Sequence, residues 1–281
     1  MKEWVSEESD FGKCLSLNHN WEIKMKKISI NEAKKLLPYL HKEKDFNVFI
    51  IGDIQNTFND KEYIDIYLDG NVDNPKGVLL RYFDFFVIYT HDAMDYKAAA
   101  DIIIKHNKAK SLNGKVRVID KMKPLLQRLI KKDEKYYFLV LEELNYYNSG
   151  YEIKKVTTDN AGKVIKFLKS IEGFSTVDEK AFIKEIQNQT ARCYFIEIDN
   201  KVVSTASSEA ESRAGAIITD VATDKNYRNQ GYAKAIVSKL CSDLLNEGTI
   251  PYILYDNPVS GKLYKKIGFE EIGFWKILRF Q

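Results

Sequence analysis

The chain has 281 residues, 44% hydrophobic and 12% aromatic, with 43 basic against 40 acidic side chains and a formal net charge of +3. That length allows two domains with a core each, and the near balance of charge gives no general attraction to nucleic acid or to a membrane surface. No apolar run approaches the length of a bilayer span, and Cys14, Cys193 and Cys241, odd in number and far apart, suggest a reducing cytoplasm without a disulfide framework or zinc site.

Glu3, Glu7, Glu8 and Asp10 precede any apolar segment, so no secretory signal is expected, and residues 1–20 read as an appended helix or tail. Period and propensity then predict a strand over 23–28, helices over 31–41 and 47–56, and strands over 63–68, 77–82 and 85–89. A helix over 93–106, a strand over 115–119, a helix over 121–130 and a strand over 136–141 follow. Asn113-Gly114-Lys115 reads as a turn. Tyr151-Glu152-Ile153-Lys154 echoes Trp21-Glu22-Ile23-Lys24, and hairpin turns at Asp69-Gly70 and Asp199-Asn200 sit at the same distance after each. Two helices, joined by Ile171-Glu172-Gly173-Phe174-Ser175-Thr176, lead into strands over 193–198, 202–207, 214–222, 252–255 and 271–278. Thr176-x-x-Glu179 has the form of a capping box. The repeated order predicts an α/β (α+β) fold in tandem, over 21–145 and 150–281, each half a mixed, mostly antiparallel sheet flanked by helices.

Two segments of the second half carry chemistry. Tyr227-Arg228-Asn229-Gln230-Gly231-Tyr232-Ala233 lies between the β-branched run ending Thr219-Asp220-Val221-Ala222-Thr223 and a helix on which Ala233, Ile236, Val237, Leu240, Cys241 and Leu244 share a face, stopping at Gly248. Free N–H groups at that helix start, with the positive end of its dipole, attract an anion; glycine lets phosphate oxygens come close, and Arg228 adds a permanent cation. Further on, Asn257 caps and Pro258 opens a short helix over 258–267 that Gly268 ends. Tyr264 sits on it, one of 17 tyrosines.

Residues from about 150 to 281 resemble a GNAT-superfamily N-acetyltransferase in Val221-Ala222-Thr223, in Arg228 to Ala233, and in Asn257, Ser260, Tyr264 and Gly268-Phe269. Ala233 departs from the glycine common there. The resemblance implies acetyl-CoA as co-substrate, with no metal, and direct attack by a primary amine in a ternary complex. It implies that Val221 and Thr223 amides bind the pantetheine arm, that amides of Asn229, Gln230, Gly231, Tyr232 and Ala233 hold the pyrophosphate beside Arg228, that Asn257 contacts the pantetheine, and that Ser260 helps place Tyr264. Tyr264 is the expected general acid, since a phenol of pKa about 10 can protonate the departing thiolate. For the base, Asp220, Glu209, Glu211 and a chain of waters stay open. Alternation in the strand sets Asp220 on the face opposite Thr219 and Val221.

The first half resembles the same fold without its apparatus. Between Tyr89 and Lys97 the segment Thr90-His91-Asp92-Ala93-Met94-Asp95-Tyr96 has no glycine, and its acids would repel phosphate. His19, His41, His91 and His106 all lie in this half, away in sequence from Cys193 and Cys241. The expected protein is a monomer or homodimer meeting acetyl-CoA and a small amine near Glu172 and Phe174, with no nucleic-acid or membrane partner. A protein or peptide acetyltransferase and a non-catalytic acyl-CoA sensor are the alternatives.

Overall fold

In the computed structural model, which describes residues 25–56, 63–145, 150–174 and 177–281, the alternating apolar segments pair into a single sheet of 12 strands. The first half supplies β1 Met25–Ile28, β2 Ile64–Gly70, β3 Pro75–Tyr82, β4 Phe85–Tyr89, β5 Ser111–Lys115 and β6 Ile130–Val140. The second supplies β7 Lys154–Lys155, β8 Cys193–Ile198, β9 Lys201–Ser212, β10 Gly215–Thr223, β11 Pro251–Tyr255 and β12 Glu270–Phe280. Their spatial order is β1-β2-β3-β4-β5-β12-β6-β11-β10-β9-β8-β7. Pairing is antiparallel except at β4–β5 and β10–β11. Read inward from either edge, the order is the same, so the repeat seen in the sequence is a repeat of topology. The halves exchange their last strands at the centre, and the two sheets expected from the sequence are one. The exchanged pair forms the longest ladder, from Glu270 opposite Val140 to Phe280 opposite Ile130.

Helices cover both faces. One carries α1 Ile30–Lys34, α2 Leu37–Leu40, α3 Val48–Asn56, α6 Ala161–Ser170 and α7 Glu179–Asn188; the other carries α4 Tyr96–Lys105, α5 Val116–Leu126, α8 Tyr232–Asn246 and α9 Pro258–Ile267. Strand alternation explains the division. In β3, Val78 and Leu80 face α1 to α3 while Leu79 faces α4 and α5. In β10, Ile217 faces α1 to α3 while Ala216 and Ile218 face α8. The central core is shared: Phe138 of β6, Trp275 of β12 and Tyr252 of β11 pack with Ile50, Ile51 and Ile54 of α3. Helix α3 of the first half therefore lies over strands of the second. Its Gly52 meets the Ala210 backbone of β9 so closely that a Cβ would overlap the Ala210 carbonyl. Asn56 Nδ2 donates to the Glu211 carbonyl at 2.5 Å, and Tyr252 OH donates to Asp45 Oδ1 at 2.6 Å.

Several sequence expectations shift. The helix expected over 31–41 is two short ones, with Pro38 in the first turn of α2. Asn113-Gly114-Lys115 is strand, not turn: Gly114 is needed because a Cβ there would lie 2.8 Å from the Ile88 carbonyl of the parallel neighbour. Of the strand expected over 115–119, Lys115 ends β5 and the rest belongs to α5, which buries Val118, Ile119, Met122 and Leu126 along one side and runs through Pro124. Asp199 and Asn200 do form the tight turn, at φ 48° and 61°. Asp69 and Gly70 instead end β2, and Asn71 to Asn74 turn the chain. Helix α7 is capped by Asp178, whose carboxylate accepts from Lys180 and Ala181 N–H at 3.0 and 3.1 Å. Glu179 pairs with Lys169, and Thr176 lies outside the described residues. So do residues 1–20 and Trp21 to Lys24, the opening of the sequence repeat.

Candidate active site

Between β10 and β11 the sheet opens. Parallel pairing runs from Ala216 opposite Pro251 to Ile218 opposite Ile253, so β10 continues from Thr219 to Thr223 with no strand beside it on that edge among the described residues. The equivalent pair in the first half stays joined along four of the five residues of β4. On its other edge β10 carries a bulge between Thr219 and Ala222, with Asp220 at φ 48°. The bulge resets the alternation. Ile218 and Val221 both pack toward α8, and Thr219 and Asp220 line one cavity on the opposite face. The expectation that Asp220 points away from Thr219 is therefore corrected.

From Thr223 the chain passes a short turn, with the Asp224 side chain accepting from Asn226 N–H at 2.9 Å, and enters α8. Asn229 at φ 63° and Gly231 at φ 87° bend it there, and Gly231 is the N-cap residue, without a capping side chain. Arg228, Asn229, Gln230 and Gly231 are exposed. A Cβ at Gly231 would find nothing closer than the Tyr151 hydroxyl at 4.0 Å. Arg228 Nε donates to the Thr223 carbonyl at 3.3 Å, and Tyr151 OH donates to the Gln230 carbonyl at 2.6 Å, its ring against Tyr232 at 4.7 Å. The uncapped start of a 15-residue helix, beside an open strand edge, suits an anion. Helix α4 shows the opposite: Asp95 caps it, accepting from Ala98 N–H at 3.0 Å. Its own carboxylate fills the place an anion would take. Arg117 Nη2 further ties Thr90 and His91 carbonyls at 3.1 and 2.5 Å.

Helix α9 runs as expected. Asn257 Oδ1 accepts from Val259 N–H at 2.8 Å, Pro258 opens it, and Gly268 ends it at φ 121°. Gly261 lets the helix rest on the Tyr255 ring, which a Cβ would penetrate. Tyr264 is 6% exposed, its ring 6.0 Å from Tyr255 and 5.9 Å from Phe269. Burial, and secondarily the Cys241 thiol, raise its phenol above the ordinary value, so it holds its proton at any physiological pH. Ser260 is half-buried on the same helix. Lys265 pairs with Glu271 at 2.8 Å.

Across the sheet lies a group of carboxylates of which the sequence named Glu209 and Asp220 but not Glu185 or Asp53. Glu209 of β9 and Asp220 of β10 line a cavity of about 30 Å³ with Glu185 of α7, Ser207 and Cys193. Tyr82 of β3 donates to Glu185 Oε1 at 3.2 Å. Burial first, then the charges of Glu185, Asp220 and Asp53, push Glu209 up to about 8. Burial, with the charge of Glu185, pushes Asp53 of α3 up to about 8. Burial, against the opposing Tyr82 hydrogen bond, pushes Glu185 up to about 7. Asp220 is also raised by burial. Glu211 plays a different part: Arg192 grips it at 2.7 to 3.1 Å and also holds Glu247. It serves the fold. Phe174 packs beneath α6 and α7, and Glu172 is exposed. The Cys193 thiol is pushed up to about 12 by burial, and Cys241, also buried, is raised too, so both thiols stay protonated.

Against known proteins, the family model described as GNAT acetyltransferase matches residues 22–278. The chain belongs to the GNAT acetyltransferase family. Membership assigns acetyl transfer in general terms, and the sheet has the fold of solved family members. A GCN5-related N-acetyltransferase-like protein from Streptococcus suis is 18% identical and superposes at TM-score 0.64, over 90% of this chain and 100% of its own. A tandem GNAT protein from the clavulanic acid biosynthesis pathway is 12% identical at TM-score 0.56, over 90% and 97%. A GNAT acetyltransferase from Colwellia psychrerythraea is 14% identical at TM-score 0.55, over 92% and 100%. No curated protein matches. No helix among the described residues is long and apolar enough to cross a membrane.

Proposed function

We propose that the chain is an N-acetyltransferase that moves the acetyl group of acetyl-CoA to a primary amine of a small molecule, by direct attack in a ternary complex. One observation carries this reading: the unpaired edge of β10 from Thr219 to Thr223 opens beside the uncapped start of α8. A strand-like pantetheine arm and a diphosphate would occupy those two features. The second half is the catalytic domain and the first a degenerate copy, since Asp95 closes its matching helix.

Acetyl-CoA, when bound, supplies the acetyl thioester. Amides from Asn229 to Ala233 and the Arg228 guanidinium hold its diphosphate. Val221 and Thr223 amides bind the pantetheine as a neighbouring strand would, and Asn257, exposed at the mouth of α9, contacts it from the other side. Ser260 helps to fix the helix turn carrying Tyr264. The amine must shed a proton before its nitrogen can attack, and the Asp220 and Glu209 carboxylates, both raised by burial, are the groups to take it. Tyr264, held protonated by burial, donates to the departing sulfur as the new carbon–nitrogen bond replaces the carbon–sulfur bond. The test is release of free thiol from acetyl-CoA across a panel of amines. Amine-dependent release supports the proposal; binding of acetyl-CoA with no release for any amine makes the chain a sensor.

A further inference from the structure

Asp53, Glu185, Glu209 and Asp220 come from α3, α7, β9 and β10 and meet where the first half rests on the second. Asp53 and Tyr82 belong to the half that lacks the anion cradle. Among the described residues, no ion pair joins Glu185, Glu209 or Asp220 to a cation. Arg192, which lines the same cavity, is committed to Glu211 and Glu247, and the Lys184 ammonium lies over the Tyr63 ring at 4.1 Å. Like charges gathered in a poorly solvated place are costly unless something positive joins them.

A second observation points into the same cavity. Ser207 Oγ lines it, is 4% exposed as a residue, and makes no hydrogen bond of standard geometry among the described residues. The Asp220 carboxyl and Cys193 thiol lie near enough to feel it, yet neither completes a bond of standard geometry. A buried hydroxyl left unsatisfied at the rim of a polar hole expects a donor from outside the chain. The hole, about 30 Å³, is the size of one water or one ammonium group. Among the described residues, no three of these side chains converge to hold a metal ion. The fit is to an ammonium, a compact cation with three donors.

We infer that this inter-half carboxylate cluster binds a second, non-reacting ammonium of the acceptor, so that the enzyme prefers diamines and polyamines over monoamines. The inference rests on the acetyl-transfer reading of the same site and names its substrate class. One amino group reaches the open edge of β10 and gives its proton to Asp220; another stays charged between Glu185 and Glu209 in the cavity, with Ser207 Oγ accepting one of its hydrogens. The degenerate half thereby acquires a role, because its Tyr82 holds Glu185. At neutral pH the cluster carries protons, from burial and from mutual repulsion among Asp53, Glu185, Glu209, Asp220 and Asp178. A bound dication displaces them, and its affinity rises as they leave.

The test compares putrescine and spermidine with butylamine, which has the carbon chain of putrescine and one amino group fewer, in thiol release from acetyl-CoA by the full chain. The inference expects kcat/KM for putrescine at least about tenfold above butylamine. It also expects Glu185→Gln to shrink that ratio mainly through KM for the diamine. Calorimetry of the unaltered protein, which needs no variant to fold, should show putrescine binding tighten several-fold from about pH 6 to about pH 8.5 with release of protons. Equal use of putrescine and butylamine, or putrescine binding indifferent to pH, overturns the inference and leaves acetyl transfer standing. Absence of acetyl-CoA binding overturns both.

Discussion

Replacing Glu209 by Gln should make the protein more stable in alkaline solution and leave it unchanged in acid. In the folded chain burial and the neighbouring carboxylates lift Glu209 from 4.5 to about 8. Folding at neutral pH therefore takes up a proton that the unfolded chain has released. The contribution of the carboxyl is fully present below about pH 4.5 and is lost as pH rises through about 8. At about 1.4 kcal/mol per unit, that interval caps the loss at about 5 kcal/mol. Glu209 retains part of its exposure, and the cluster shares its protons, so about 2 kcal/mol is the expected size. Glutamine is neutral at every pH and escapes the loss. Urea unfolding followed by tryptophan fluorescence, with Trp275 buried in the shared core, should give equal midpoints for the two proteins near about pH 5 and a higher one for Glu209→Gln near about pH 9. A difference independent of pH, or a variant weaker in alkali, would refute the electrostatic picture of the cluster.

Tyr264→Phe should lower kcat about a hundredfold, the scale of one general acid, while acetyl-CoA binds as before in calorimetry; unchanged turnover would remove the phenol from the reaction. Gly52→Ala drives a methyl into the Ala210 carbonyl and should cost about 1–3 kcal/mol in urea unfolding. Asp95→Ala removes the N-cap of α4 and should cost about 1 kcal/mol, with thiol release intact, because the first half carries none of the proposed acetyl-CoA contacts.

The parts of this molecule legible from sequence were those fixed by local chemistry. Asn257, Pro258 and Gly268 bound α9, and Gly231 with Gly248 bracket α8, because caps and positive φ act within a few residues. The exchange of β6 and β12 was not legible, since either strand alternates equally well in its own half or in the other. Val116, Val118 and Ile119 read as strand by propensity, yet packing against α4 and the sheet made them helix. The carboxylate cluster was hidden for a related reason: Asp53, Glu185 and Glu209 are far apart in the chain and meet only through tertiary docking. One signal was available. Asp53 interrupts the apolar run Val48-Phe49-Ile50-Ile51-Gly52 and Ile54 on a helix face otherwise bound for the core, and an acid so placed expects a purpose.

Titration of acetyl-CoA into the protein and into Gly231→Val, by calorimetry, bears most directly on the cradle at the start of α8. The unaltered chain should bind at one site, and the variant, with a branched side chain at φ 87° over the anion position, should bind at least about tenfold more weakly while unfolding within about 2 kcal/mol of it. Equal affinity in the two proteins, or no binding by either, would contradict the account.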